Sequence, residues 1–148
     1  PPDKVEWLRK KSEAGDVRAQ AGMGGMYLMA AVLNTGVEHD PERGLSLLNK
    51  AAALGNVDAY VMLGNSNSLG FLANKSEDYA TAQKWYAKAA EQGTANINAQ
   101  YNLARLYAKG QGVPQDYATA AAWYRLAAAR GQASAQSGWV GFTPRDGG

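Results

Sequence analysis

The chain has 148 residues, 46% of them hydrophobic and 19% charged, with a formal net charge of +2 and no cysteine. This is the composition of one globular domain, and a mild basic excess without a concentrated Lys/Arg face argues against nucleic acid as a partner. Disulfides, thiolate nucleophiles and Cys-ligated zinc are excluded, and with no apolar run near the roughly 18 to 20 residues of a spanning helix, no membrane insertion is expected.

From about residue 2 to 14, Val5, Leu8 and Ser12 follow helical spacing around Trp7, and Gly15 ends the run as a left-handed cap residue would. Asp16 to Leu33 then reads as a helix with Asp16 as N-cap and Ala19, Met23, Met26, Tyr27 and Ala30 on one face. Its glycines, Gly22, Gly24 and Gly25, each cost a helix roughly 0.5 to 1 kcal/mol relative to alanine. They imply close packing, a kink, or a surface left open for a partner. Beyond the loop Asn34 to His39, Asp40-Pro41 opens the next helix, with Asp as cap and Pro at the first helical position. Helices are expected again over Asn56 to Leu69, from Asp78, over Asn98 to Lys109 and from Asp116. The stretch 133–142 reads as the opening of one more, with Trp139 and Phe142 covering the last complete unit.

These helices repeat. Asp116-Tyr117-Ala118-Thr119, Trp123-Tyr124, Ala127-Ala128 and Gly131 match Asp78-Tyr79-Ala80-Thr81, Trp85-Tyr86, Ala89-Ala90 and Gly93 at the same offsets. Asp40 to Gly55 is a third copy with Leu47-Leu48 in place of Trp-Tyr, and Trp7-Leu8 with Gly15 is a degraded fourth. The closing glycines at 15, 55, 93 and 131 lie 40, 38 and 38 residues apart, a period that means stacked supersecondary units. The first helix-to-helix connection carries about four extra residues relative to the third, the second, around Gly70 to Lys75, about two, and the third unit has two extra in Thr94 to Asn98; without them the period is 36. Gly24 shares its repeat position with Gly64 and Ala104, which points to a small residue required by packing. Gly22 and Gly25 have no such equivalents: Met62 and Asn65, then Asn102 and Arg105, stand in their places. With Pro1-Pro2 at one end and a partial unit at the other, a processed or truncated product is expected.

Two helices per 36 residues, a small residue after Leu103 in the first helix, Gly110-Gln111-Gly112-Val113-Pro114-Gln115-Asp116 in the connection, and Ala120 through Trp123-Tyr124 to Gly131 in the second resemble the Sel-one-like repeat, a relative of the tetratricopeptide repeat. The units 16–55 and 56–93 depart from the pattern at Leu47-Leu48, at Asn67 in place of the first-helix Tyr, and in their longer connections. The resemblance implies an all-α fold, a right-handed superhelix of about three full helix-turn-helix repeats. A single solenoid domain would span 1–148, with partial units at 1–15 and 132–148 and repeats at 16–55, 56–93 and 94–131. It further implies a bacterial adaptor or scaffold in protein complexes, often periplasmic or secreted. Many secreted members stitch each repeat with a disulfide, which this chain lacks the cysteines to form.

In the related tetratricopeptide architecture the first helices line a concave groove. Carried over from the register of Leu103-Ala104 and Tyr107, the ligand-contacting positions are Asn98, Tyr101, Asn102, Arg105 and Lys109. The same register names Asp58, Val61, Met62, Asn65 and Leu69 in the preceding unit, and Arg18, Ala21, Gly22, Gly25 and Met29 before it. Such a groove runs from a glycine-lined end through a Met/Leu centre to an Asn/Arg/Lys end. It suits a protein or peptide segment carrying an acidic or carboxylate group.

No enzymatic constellation emerges. His39 is the one histidine, directly before a helix cap, and neither a nucleophile elbow, a phosphate loop nor a carboxylate pair is present. No cofactor or metal is expected, and the aspartates at 40, 78 and 116 recur because each caps a helix. Trp85, Tyr86, Trp123 and Tyr124 read as packing between repeats, so Trp123→Ala is expected to unfold the chain. Besides an adaptor, the pattern fits a dedicated immunity or inhibitor protein that blocks a cognate toxin or enzyme; a hydrolase is the least favoured reading.

Overall fold

The computed structural model describes residues 2–92 and 97–131, and every regular element among them is helical. The helices are α1 (Pro2–Glu13), α2 (Val17–Leu33), α3 (Pro41–Ala53), α4 (Val57–Ser68), α5 (Tyr79–Ala90), α6 (Ile97–Lys109) and α7 (Tyr117–Ala129), with a short 3-10 turn at Gly70–Ala73. They form two compact units, residues 1–77 and 78–148. The expected cover by Trp139 and Phe142 lies outside the described residues, as does most of the connection 94–98.

The starts and stops follow from local chemistry. Carboxylates cap the helices as the repeated aspartates predict: Asp16 accepts from the Ala19 amide at 2.9 Å, Asp40 from Arg43 at 3.1 Å, Asp78 from Thr81 at 3.0 Å and Asp116 from Thr119 at 3.1 Å. Asp78 and Asp116 also accept from the threonine hydroxyls at 2.7 Å. The Thr119 hydroxyl, then its amide, hold the Asp116 carboxyl below its ordinary pKa. Gly15, Gly55 and Gly131 end their helices with φ of +94°, +85° and +85°, a conformation glycine adopts without strain.

In the first unit the hairpin of α2 and α3 is the centre of packing. A Cβ on Gly24 would stand 2.8 Å from Leu48 Cγ and 2.9 Å from the Gly44 carbonyl oxygen, so glycine there permits backbone-to-backbone contact. This is the close packing that the register of Gly24 predicts. Leu28 and Leu48 are fully buried beside it, and Met23, Tyr27 and Val37 form a cluster flanked by Val5, Leu8, Met26 and Leu47. The four extra residues before Asp40 extend the helix rather than the loop: α2 has 17 residues against 13 in α6, one added turn. The Asp40 amide then donates to the Tyr27 carbonyl at 3.1 Å, as the Asp116 amide does to Tyr107 at 2.9 Å.

The second connection behaves differently. Helix α4 stops at Ser68, so Leu69, expected within a first helix, lies past its end and is 41% exposed. Two extra residues do not complete a turn, and the chain instead makes the 3-10 turn, with Leu72 buried. Asn67, standing where a tyrosine is usual, is buried; its amide donates to the Leu63 carbonyl at 2.8 Å and its oxygen accepts from Lys75 Nζ at 2.6 Å, which ties the turn back to α4.

The second unit packs with aromatic rings on alanines. Ala104, Ala120 and Tyr124 form its cluster, with Tyr101, Tyr107, Ala108 and Trp123 against it, and Tyr86 is fully buried on α5. The Trp-Tyr pair therefore divides: the tyrosines point into the core, and Trp85 and Trp123, one position back on each helix, are half-buried at its edge. Gly112, at φ +75°, allows the third connection to lie on the backbone of Tyr79.

Candidate functional site

Helices α1, α2 and α4 of the first unit enclose an open groove of about 680 Å³. Its floor is the face of α2 that carries Ala21, Gly22, Gly25 and Met29, and Met62 and Asp58 of α4 form one wall. The three glycines of α2 have three separate roles. Gly24 serves the α3 contact; Gly25 makes room for Met62, whose Cε would be 3.3 Å from a Cβ there; Gly22 is exposed, with nothing within 4 Å of where its Cβ would stand. The helix remains unbroken through all three.

Of the positions expected in this unit, Arg18, Gly22, Gly25, Met29, Asp58 and Met62 line the groove together, with Ala21. Asn65 and Leu69 do not line it: Asn65 turns its amide toward Met62 Sδ at 3.9 Å, and Leu69 is beyond the helix. Val61 is buried. The opposite wall, Trp7, Leu8 and Lys11 of α1, was not among the expected positions, nor were Asp16, Met26 and Leu33. Trp7 is 56% exposed and Leu33 49%, so the groove presents large apolar side chains to solvent. The exposure of Trp7 is set by how α1 sits on α2, which spacing along α1 does not encode. The placement of Leu33 depends on the added helical turn.

In the second unit Asn98 and Lys109 are exposed, and Tyr101, Asn102 and Arg105 are half-buried along α6. Tyr101 meets Tyr124 edge to face, ring centres 5.4 Å apart at 61°. Burial first, then Tyr101, push the Tyr124 hydroxyl above its ordinary pKa, and Arg105 opposes them. Tyr101 thus belongs partly to the core of its unit.

Among the described residues no group of His, Asp or Glu is arranged to hold a metal ion, and no helix is long and apolar enough to cross a membrane. His39 is half-buried in its loop with Nδ1 lacking a hydrogen-bond partner.

The Sel1 repeat model matches residues 17–56, 57–94 and 97–132. Among solved structures, the chain is similar to c5321, a protective antigen present in uropathogenic Escherichia coli strains and displaying an SLR fold. The two share 34% identity with a TM-score of 0.78 over 90% of this chain and 27% of that one. The chain therefore spans about a quarter of that relative's length. A Sel1 repeat protein from Oxalobacter formigenes is 32% identical over 92% of this chain and 96% of its own, with a TM-score of 0.71. Helicobacter pylori cysteine rich protein B, 20% identical over 90% of this chain and 95% of its own, has a TM-score of 0.66 and is similar in fold. No match was found among curated proteins.

Proposed function

The chain belongs to the Sel1 repeat family, whose fold is generally a scaffold for protein–protein interaction, and on that premise we propose that the groove of its first unit binds an apolar-faced helix of a partner protein. The observation that carries this reading is an apolar groove with its floor left open at Gly22. Its walls are all helical and offer no free strand edge, so a segment that satisfies its own backbone hydrogen bonds fits better than an extended one. Met26, Met29 and Met62 supply adaptable side chains, a composition suited to binding surfaces. The rim carries Lys11 and Arg18 but also Asp16 and Asp58, so apolar contact rather than net charge dominates recognition. In this reading the protein acts as a non-catalytic adaptor.

A photo-crosslinking residue at position 22 tests it. The expected crosslink maps to an amphipathic helix of one or more partner proteins and disappears in Met29→Glu, Met62→Glu protein with unchanged helical circular dichroism. Crosslinks that persist in that variant, or map to an extended segment, count against the groove. A single partner held at nanomolar affinity would favour the inhibitor role over the adaptor.

A further inference from the structure

The other face of α2 borders a second cavity, about 320 Å³ and half-open to solvent, between α1, α2 and α3. Its lining departs from the repeat at three places that meet there. Leu47 stands where the later units have Trp85 and Trp123, so a smaller side chain borders the cavity at this position. Arg43 stands where they have Thr81 and Thr119, whose hydroxyls are held by the capping aspartates; Asp40 takes only the Arg43 amide, and the guanidinium lies over the Tyr27 ring, 4.9 Å from its centre. Ser12, buried, stands where Ala52, Ala90 and Ala128 do.

The charges at this cavity are also arranged differently from their repeat equivalents. Lys88 in the next unit lies over Trp85 at 5.9 Å, but its equivalent Lys50 has no such ring beside it and lines the cavity. Arg9 enters from α1, held by Glu6 at 2.7 Å, and Tyr27, then Glu6, raise its pKa. Neither Arg43 nor Lys50 makes an ion pair among the described residues. Of the three cations that line the cavity, Arg9 is paired with Glu6, and Glu13 is the one acidic side chain in the lining. The Gln20 side-chain oxygen lining the cavity is buried with no donor; a half-turn of its amide would offer N–H groups to an entering acceptor.

We propose that this cavity is a binding site for a single carboxylate, the side chain of an acidic residue on a protein ligand, held between Arg43, Arg9 and Lys50 with Ser12 and Ser46 as hydroxyl donors. The excess of cations over carboxylates in the lining suits an anion, and the planar arginine fork matches carboxylate geometry. The site is distinct from the groove and does not depend on it.

The test is a titration of ¹⁵N-labelled full chain at low ionic strength with N-acetyl-glutamate amide, its glutamine counterpart and inorganic phosphate. The carboxylate is expected to give saturable shifts at the amides of Ser12, Gln20 and Ser46, the glutamine compound none, and phosphate a weaker response. Two variants restore the residue of the later repeats: Leu47→Trp enlarges the side chain bordering the cavity and Arg43→Thr removes an exposed cation. Each is expected to weaken binding at least tenfold, and Arg43→Thr keeps the test decisive if Leu47→Trp fails to fold. Shifts that never saturate, that survive both variants, or that phosphate produces more strongly overturn the proposal.

Discussion

The hairpins α2–α3 and α6–α7 are copies of one pattern packed by two different means. In the first, glycine faces glycine at positions 24 and 44 and a leucine, Leu48, suffices as the buried side chain between helices. In the second, alanine occupies both equivalent positions, 104 and 120, and a tyrosine, Tyr124, fills the centre. A glycine pair with a leucine, or an alanine pair with a ring, satisfies the same requirement for a dense interior. The lesson extends to the surface. The hairpin of glycines and leucines borders a groove on one face of α2 and a cavity on the other.

The largest way to break this contrast is to remove the ring. Tyr124→Ala should destabilise the chain by about 3 to 5 kcal/mol, in line with buried aromatic truncation. Trp123→Ala, at a half-buried position, should cost distinctly less; urea denaturation of the two variants gives the order. Equal losses would mean the tryptophan carries as much of the core as the tyrosine. A smaller effect comes from making the first hairpin like the second. Gly24→Ala should lose about 1 to 3 kcal/mol by overpacking, despite alanine's better helix propensity, because its methyl meets both Leu48 and the Gly44 carbonyl. A rise in thermal midpoint would show that the two backbones separate readily. The smallest effect, and of opposite sign, is expected two residues away. Gly22→Ala should gain roughly 0.5 to 1 kcal/mol, since nothing occupies the space its methyl enters.

What was legible in the sequence was local or repetitive. The aspartate caps could be read because a carboxylate and the amide three residues on are fixed by the helix start itself. Gly24 could be read because its register recurs at Gly64 and Ala104. Most of the α2 and α4 positions along the first groove followed from the same register, and the family match bears out the repeat that defines it. What was not legible depended on contacts distant in the chain. The early end of α4 comes with the Lys75 to Asn67 bond across eight residues, and the Trp7 wall follows from how α1 lies on α2. The Trp-Tyr pair was legible as packing but not its division, because two neighbours on a helix differ by about 100° in bearing and only the opposing surface decides which one is covered.

The added turn of α2 bears on how such chains change length. Four residues rotate a helix by roughly 400°, which returns the following side chains to within about 40° of their former bearing. The insertion therefore leaves the Asp40-to-Tyr27 amide bond in place, while two residues elsewhere cannot close a turn and emerge as the 3-10 excursion at Gly70–Ala73. Insertions and deletions in this lineage should then be tolerated in helical quanta. A relative shorter by four residues after Tyr27 would keep its fold and lose only the top of one groove wall, Leu33, making the depth of the recognition surface a trait that evolution can adjust one turn at a time.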